Sequence, residues 1–176
     1  MRQIPNAICL LRIVLTPFCF SAIVRRDFGL AMALFAVAGF TDFLDGFVAR
    51  RMNWNSAAGA LLDPLADKIL MATVYIALGI AGAAPWWVVG IIFGRDIVIL
   101  LGSALLYQRV QQKKFPPTMA GKISTVTQIF SAMAIMGGSA GIFPPSLATA
   151  AILATAGTTL YSGLDYVRRG YSIISA

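Results

Sequence analysis

The stretch DFLDGFVARRMNWNSAAGALLDPLAD, residues 42–67, holds four of the seven acidic residues of the chain, and all seven are Asp. Asp42 and Asp45 are three apart, and Ala49 returns to the same side seven positions after Asp42, so the three share one helix face. Gly46, beside Asp45, leaves room for something bulky against the backbone. Asp63 and Asp67 are four apart and share a face of a second helix, with Gly59 one turn earlier. Two helices joined by a short connection pack antiparallel. The spacing therefore predicts two pairs of carboxylates facing each other at one end of a helix pair.

What surrounds this stretch is apolar. The 176 residues are 59% hydrophobic and 12% charged, with mean hydropathy +0.80, where a soluble domain carries about 25% charged residues. Six apolar stretches follow one another, at 7–24, 29–49, 58–82, 85–108, 120–139 and 146–167. Arg25-Arg26-Asp27, the segment from Arg50 to Ser56, Pro85, Pro116-Pro117 and Pro144-Pro145 separate them. The expectation is an all-α integral membrane protein, one domain over residues 1–176 with six transmembrane helices of about 20 residues each. Met1-Arg2, Pro5-Asn6 and Arg12 do not read as a cleavable signal. Nine basic residues gather on one predicted side: Arg2, Arg50, Arg51, Arg109, Lys113, Lys114, Lys122, Arg168 and Arg169. Arg25 and Arg26 lie on the other. The excess of Lys and Arg marks the cytoplasmic side, which places both termini in the cytoplasm and the carboxylates at a cytoplasm-facing mouth.

Composition excludes several chemistries. The chain has no His, so His-ligated zinc or haem, Ser-His-Asp triads and His proton relays are out. Cys9 and Cys19 are ten residues apart in one apolar segment, about 15 Å along a helix, which is beyond the ~7 Å that a disulfide spans between Cα atoms. The basic residues flank spans rather than a soluble aromatic-basic surface, so a nucleic-acid partner is not expected. Four carboxylates converging in low dielectric cannot all stay ionised without cations. Arg50 and Lys68 are too few for a purely structural ion-pair network. Hard divalent ions, Mg²⁺ or Mn²⁺, take oxygen ligands of this kind, and two such ions can clamp phosphoryl oxygens. A cation-translocating membrane protein is the rival reading. It would require polar groups through both halves of the membrane, and the helix portions near Ala81 and Gly138 have almost none.

The spacing carries a resemblance. Asp42, Asp45, Gly46, Ala49, Arg50, Gly59, Asp63 and Asp67 match D-x2-D-G-x2-A-R-x8-G-x3-D-x3-D, the signature of the CDP-alcohol phosphatidyltransferase family. The chain resembles that family over essentially its whole length. The resemblance implies six membrane helices, usually in a homodimer, and transfer of a phosphatidyl group from CDP-diacylglycerol to an alcohol with release of CMP. It implies two divalent cations. Asp42, Asp45 and Asp63 look like metal ligands, with Asp67 sharing the second metal and also acting as the base toward the acceptor hydroxyl. Asp42, Gly46, Ala49, Arg50, Gly59 and Asp63 look like the CDP-binding elements. The membrane would be the bacterial inner membrane.

The acceptor is the finer question. Ile4-Pro5-Asn6, Leu11-Arg12, Thr16-Pro17 and Leu62-Asp63-Pro64-Leu65-Ala66-Asp67-Lys68 resemble family members that use glycerol-based acceptors. These are the cardiolipin synthases, which take phosphatidylglycerol, and the phosphatidylglycerophosphate synthases, which take glycerol-3-phosphate. Gly94-Arg95-Asp96, Pro117-Thr118 before Gly121-Lys122, and Ser103, where the second group usually carries an Arg, lean toward phosphatidylglycerol. Glycerol-3-phosphate stays open as the alternative. Arg95 and Lys122, with Arg12 beside them, are the expected acceptor-binding cations. Asp96 reads as a neutralising neighbour of Arg95, and Trp86 and Trp87 as interfacial anchors. Asp27 and Asp165 read as ordinary interfacial charges.

Overall fold

The computed structural model describes the backbone of residues 4–52, 59–110 and 118–174, and the side chains of residues 12–41, 67–102 and 118–169. The described residues form six helices and no strand: α1 (Ile4–Val24), α2 (Phe28–Met52), α3 (Gly59–Ile80), α4 (Trp86–Val110), α5 (Met119–Ser139) and α6 (Pro145–Ile174). Each coincides with one expected apolar stretch. The ends shift where local chemistry allows it. Helix α1 begins at Ile4 and takes Pro5 into its first turn, where no backbone N–H is needed. Helix α6 continues beyond residue 167 because Arg169 Nε donates to Asp165 Oδ1 at 3.0 Å, one turn back on its exposed side.

The turns after α1, α3 and α5 close in one way. Asp27 N donates to Ala22 O and Arg26 N to Ile23 O, and Arg26 has φ 62°. Gly82 (φ 74°) and Gly141 (φ 73°) occupy the same left-handed position after α3 and α5. This is the Schellman arrangement, in which a left-handed residue lets the last carbonyls find donors. Glycine adopts it freely, whereas Arg26 does so at a cost of about 1 kcal/mol. Asp27 then caps α2, accepting from Leu30 N at 3.2 Å. A residue read as a plain interfacial charge is thus the start signal of the helix that carries Asp42 and Asp45.

The chain divides into two compact units. One comprises Met1–Ala83 with Met136–Phe143, the other Ala84–Ile135 with Pro144–Ala176. In the first, α1 packs against both α2 and α3. Arg12, Thr16, Cys19 and Ile23 make the buried stripe of α1, and Phe28, Ala31, Phe35 and Ala38 that of α2. Small residues bring these backbones close: Cys19 Sγ lies 3.8 Å from Ala31 O. On α3 the buried residues are Leu70, Val74, Tyr75, Ala77 and Leu78.

In the second unit α4 packs on α6, and hydroxyl and amide groups join α5 to α6. Ser124 Oγ and Thr159 Oγ1 are 3.1 Å apart, and Gln128 Nε2 donates to both, at 3.4 and 3.3 Å. Thr127 and Thr158 hydroxyls are 2.8 Å apart, and Thr155 Oγ1 donates to Thr127 O at 3.1 Å. Ser124, Gln128, Ser131, Thr155, Thr159 and Ser162 are all buried, while Phe130, Leu153, Leu160 and Leu164 are exposed. Hydroxyl and amide groups thus pair inside this seam, while several large apolar side chains face outward. Among the described residues one helical segment, Pro145–Arg169, is long and apolar enough to cross a bilayer, and the apolar segments Arg12–Val24 and Phe28–Thr41 are shorter.

Candidate active site

The signature falls at the two ends where α2 finishes and α3 begins. Asp42, Asp45, Gly46, Ala49 and Arg50 are on the last turns of α2, and Gly59 and Asp63 on the first turns of α3. Helical backbone at these positions leaves Asp42, Asp45 and Ala49 on one face of α2, and Gly59, Asp63 and Asp67 on one face of α3. The side chains of all of these except Asp67 lie outside the described residues. Among the described residues no three potential metal ligands come together.

Asp67 has a described side chain, and α1 supplies its partner. Arg12 Nη1 donates to Asp67 Oδ1 at 3.1 Å. The Arg12 side chain is 3% exposed and that of Asp67 49%. The guanidinium is sealed between helices, while the carboxylate opens toward the outside. Beside this pair Thr16 Oγ1 donates to Arg12 O at 2.8 Å, one residue before Pro17 in α1. The sequence placed Arg12 with the acceptor-side cations and offered the four carboxylates only Arg50 and Lys68 as local counter-charges. The two are 55 positions apart, so no helical spacing relates them. The usable signal was Arg12 itself, since a cation in an apolar stripe without an acid three or four residues away must find its counter-ion on another helix.

The remaining expected cations belong to the second unit. Arg95 is on α4, and its side chain is 11% exposed. Its Nη1 donates to Asp96 Oδ1 at 2.7 Å and its Nη2 to Ser162 Oγ on α6 at 3.1 Å. Asp96 therefore neutralises its neighbour, as expected. Nε of Arg95 is buried without a hydrogen-bond partner, so the guanidinium is held by two contacts at its far end. Gly121, near the start of α5, makes this pose possible: a Cβ there would stand 3.1 Å from Arg95 Nη2. Thr118 caps that helix, accepting from Gly121 N at 3.0 Å. Lys122 follows, exposed. Sequence reasoning named Arg95, Asp96 and Lys122 but missed Ser162, whose only signal was a small polar residue in an apolar helix. Arg12 lies in the first unit, bonded to Asp67. Trp86 and Trp87, at the start of α4, are exposed.

A family model describing CDP-alcohol phosphatidyltransferases matches residues 2–161. The chain belongs to the CDP-alcohol phosphatidyltransferase family. Its curated relatives include human "Cardiolipin synthase (CMP-forming)", 42% identical over 118 residues, a match covering 66% of this chain and 38% of the human protein. A Drosophila melanogaster protein named "Probable cardiolipin synthase (CMP-forming)" is 38% identical over 145 residues, covering 72% of this chain and 44% of that protein. "Probable phosphatidylglycerophosphate synthase" of Mycobacterium tuberculosis (strain CDC 1551 / Oshkosh) is 32% identical over 175 residues, covering 95% of this chain and 81% of the relative. The chain thus spans less than half the length of the animal relatives.

Proposed function

We propose that this chain is a metal-dependent phosphatidyltransferase of phospholipid biosynthesis. It moves the phosphatidyl group of CDP-diacylglycerol to a glycerol-based acceptor and releases CMP. The observation that carries the reading is Asp67: the last carboxylate of an eight-position signature, half-exposed, and held from behind by a buried guanidinium.

Asp42, Asp45, Asp63 and Asp67 form a donor set of hard oxygens that suits Mg²⁺ or Mn²⁺, and Asp67 is accessible enough to be reached. Two such ions, when bound, would polarise the phosphoryl oxygens and neutralise charge on the departing CMP. The protein's own residues do the rest. Gly46, Ala49 and Gly59 offer small surfaces against which CDP can lie, and Arg50 grips a phosphate with its fork of donors. Asp67 accepts the proton of the acceptor hydroxyl. The freed oxygen bonds to the phosphatidyl phosphorus as the bond from that phosphorus to the CMP oxygen breaks. Arg95, fixed by Asp96 and Ser162, and the exposed Lys122 hold the phosphate of the acceptor.

Phosphatidylglycerol is the proposed acceptor, giving cardiolipin. Gly94-Arg95-Asp96 and Ser103 favour it, as do the names of relatives at 42% and 38% identity. One observation favours glycerol-3-phosphate instead: the relative that aligns with nearly the whole chain is named for phosphatidylglycerophosphate synthesis. The proposed setting is the bacterial inner membrane. All six helices would span it as a single domain, with both termini and the site facing the cytoplasm, in a homodimer. The buried hydroxyls and outward leucines and the one-sided Lys and Arg support the membrane setting.

The test offers the purified protein CDP-diacylglycerol with each acceptor in turn. Cardiolipin from phosphatidylglycerol is the expected product. Phosphatidylglycerophosphate from glycerol-3-phosphate alone would reassign the acceptor, and no CMP with any alcohol would overturn the reaction.

A further inference from the structure

We propose that Arg12 is a positioning residue for Asp67, acting through that carboxylate and not as a contact of the acceptor. The proposal rests on the reading of Asp67 as the base. Burial carries it. At 3% exposure Arg12 has no surface to offer a diffusing alcohol, whereas its Nη1 is bonded to an Asp67 that is 49% exposed. The carboxylate is gripped on its buried side and approached from its open side. The rigid guanidinium fork, fixed in the packed stripe of α1, holds one oxygen in place before substrate arrives. Its charge also favours the ionised form of the Asp67 carboxylate. The pair ties α1 to α3 as well, so the orientation of the base is set by the packing of these helices. Arg12 acts at second hand, as do the outer partners that orient catalytic carboxylates and imidazoles in other sites.

The experiment uses the full chain in detergent with three single variants, Arg12→Gln, Arg12→Lys and Asp67→Asn, and the double Arg12→Gln/Asp67→Asn. CMP release is measured against acceptor concentration, and Tm is measured without metal. Arg12→Gln is expected to lower kcat by about tenfold or more with acceptor KM within about twofold, the scale of lost outer-partner support. Arg12→Lys, keeping charge without the fork, is expected between Gln and wild type. The Tm losses of the two neutralising single variants should be non-additive in the double, because each removes the same pair. A raised acceptor KM at unchanged kcat would overturn the proposal in favour of direct acceptor contact. Unchanged kcat and KM, or additive Tm losses, would overturn it in favour of independent residues. If Arg12→Gln fails to fold, Arg12→Lys decides by the same split, and wild-type kinetics in it overturn the proposal. Normal turnover in Asp67→Asn would remove the base reading and this proposal with it. An inactive Asp67→Asn with a kinetically silent Arg12→Gln would remove this proposal alone.

Discussion

Gly121→Ala tests the proposed acceptor role of Arg95 at one atom. The new Cβ would stand 3.1 Å from Arg95 Nη2, 3.3 Å from Thr118 Oγ1 and 3.8 Å from Ser162 Oγ. Ordinary contacts at this position begin near 3.4 Å, so the guanidinium must retreat by a few tenths of an ångström. The retreat works against Nη2–Ser162, already 3.1 Å long and close to the limit of a good N–H···O bond. A hydrogen bond to a charged group contributes about 1.5–3 kcal/mol. Losing a fraction of it, about 1 kcal/mol, corresponds to roughly a fivefold weaker grip on the acceptor phosphate. The expected result is an acceptor KM raised about three- to tenfold with kcat nearly unchanged. Stability should hold, since Ala is favoured over Gly in a helix by up to about 1 kcal/mol. Gly157→Ala is the matched control: it sits on α6 with nothing within 4 Å of a built Cβ, and it should leave both kinetic constants alone. The assay is CMP release over an acceptor titration, run beside Arg95→Lys. If Arg95→Lys raises KM and Gly121→Ala does not, the guanidinium yields without cost and its exact placement does not govern binding.

Turnover should vanish in excess chelator and return with Mg²⁺ or Mn²⁺; chelator-resistant CMP release would remove the metal from the mechanism. Thr159→Val takes away the hydroxyl shared by Ser124 and Gln128 in a fully buried position. Losing those two bonds in a buried seam should cost about 1–3 kcal/mol, a fall in Tm of several degrees by thermal denaturation, and an unchanged Tm would mean the α5–α6 seam is slack. Gly137→Ala puts a Cβ into the Phe143 ring, so the ring must leave its place at a cost of about 1–3 kcal/mol. Adding Phe143→Ala should recover part of that loss, and a double variant no more stable than the single would refute the clash.

Hydrophobic patterning and punctuation located all six helices, because an apolar run bounded by Pro or paired charges has few alternatives to a helix. The ends were less legible. Arg26 in a left-handed conformation and Asp27 as an N-cap follow from how the α1–α2 turn satisfies its carbonyls and amides, which a charge count does not express. Asp165 pairs with Arg169 one turn on, a local contact that helical spacing makes available.

By itself the sequence determined the family, the helical class and the identity of the four carboxylates. Each is written in short-range spacing, and a helix converts spacings of three and four directly into shared faces. Only the tertiary structure decided which side chain holds which. Arg12 meets Asp67 across 55 positions, and Arg95 meets Ser162 across 67. Such partners are chosen by helix packing, where a buried charge takes whatever counter-group the neighbouring helix presents. That choice set Arg12 against Asp67 and left Arg95 Nη2 beside Gly121 and Ser162.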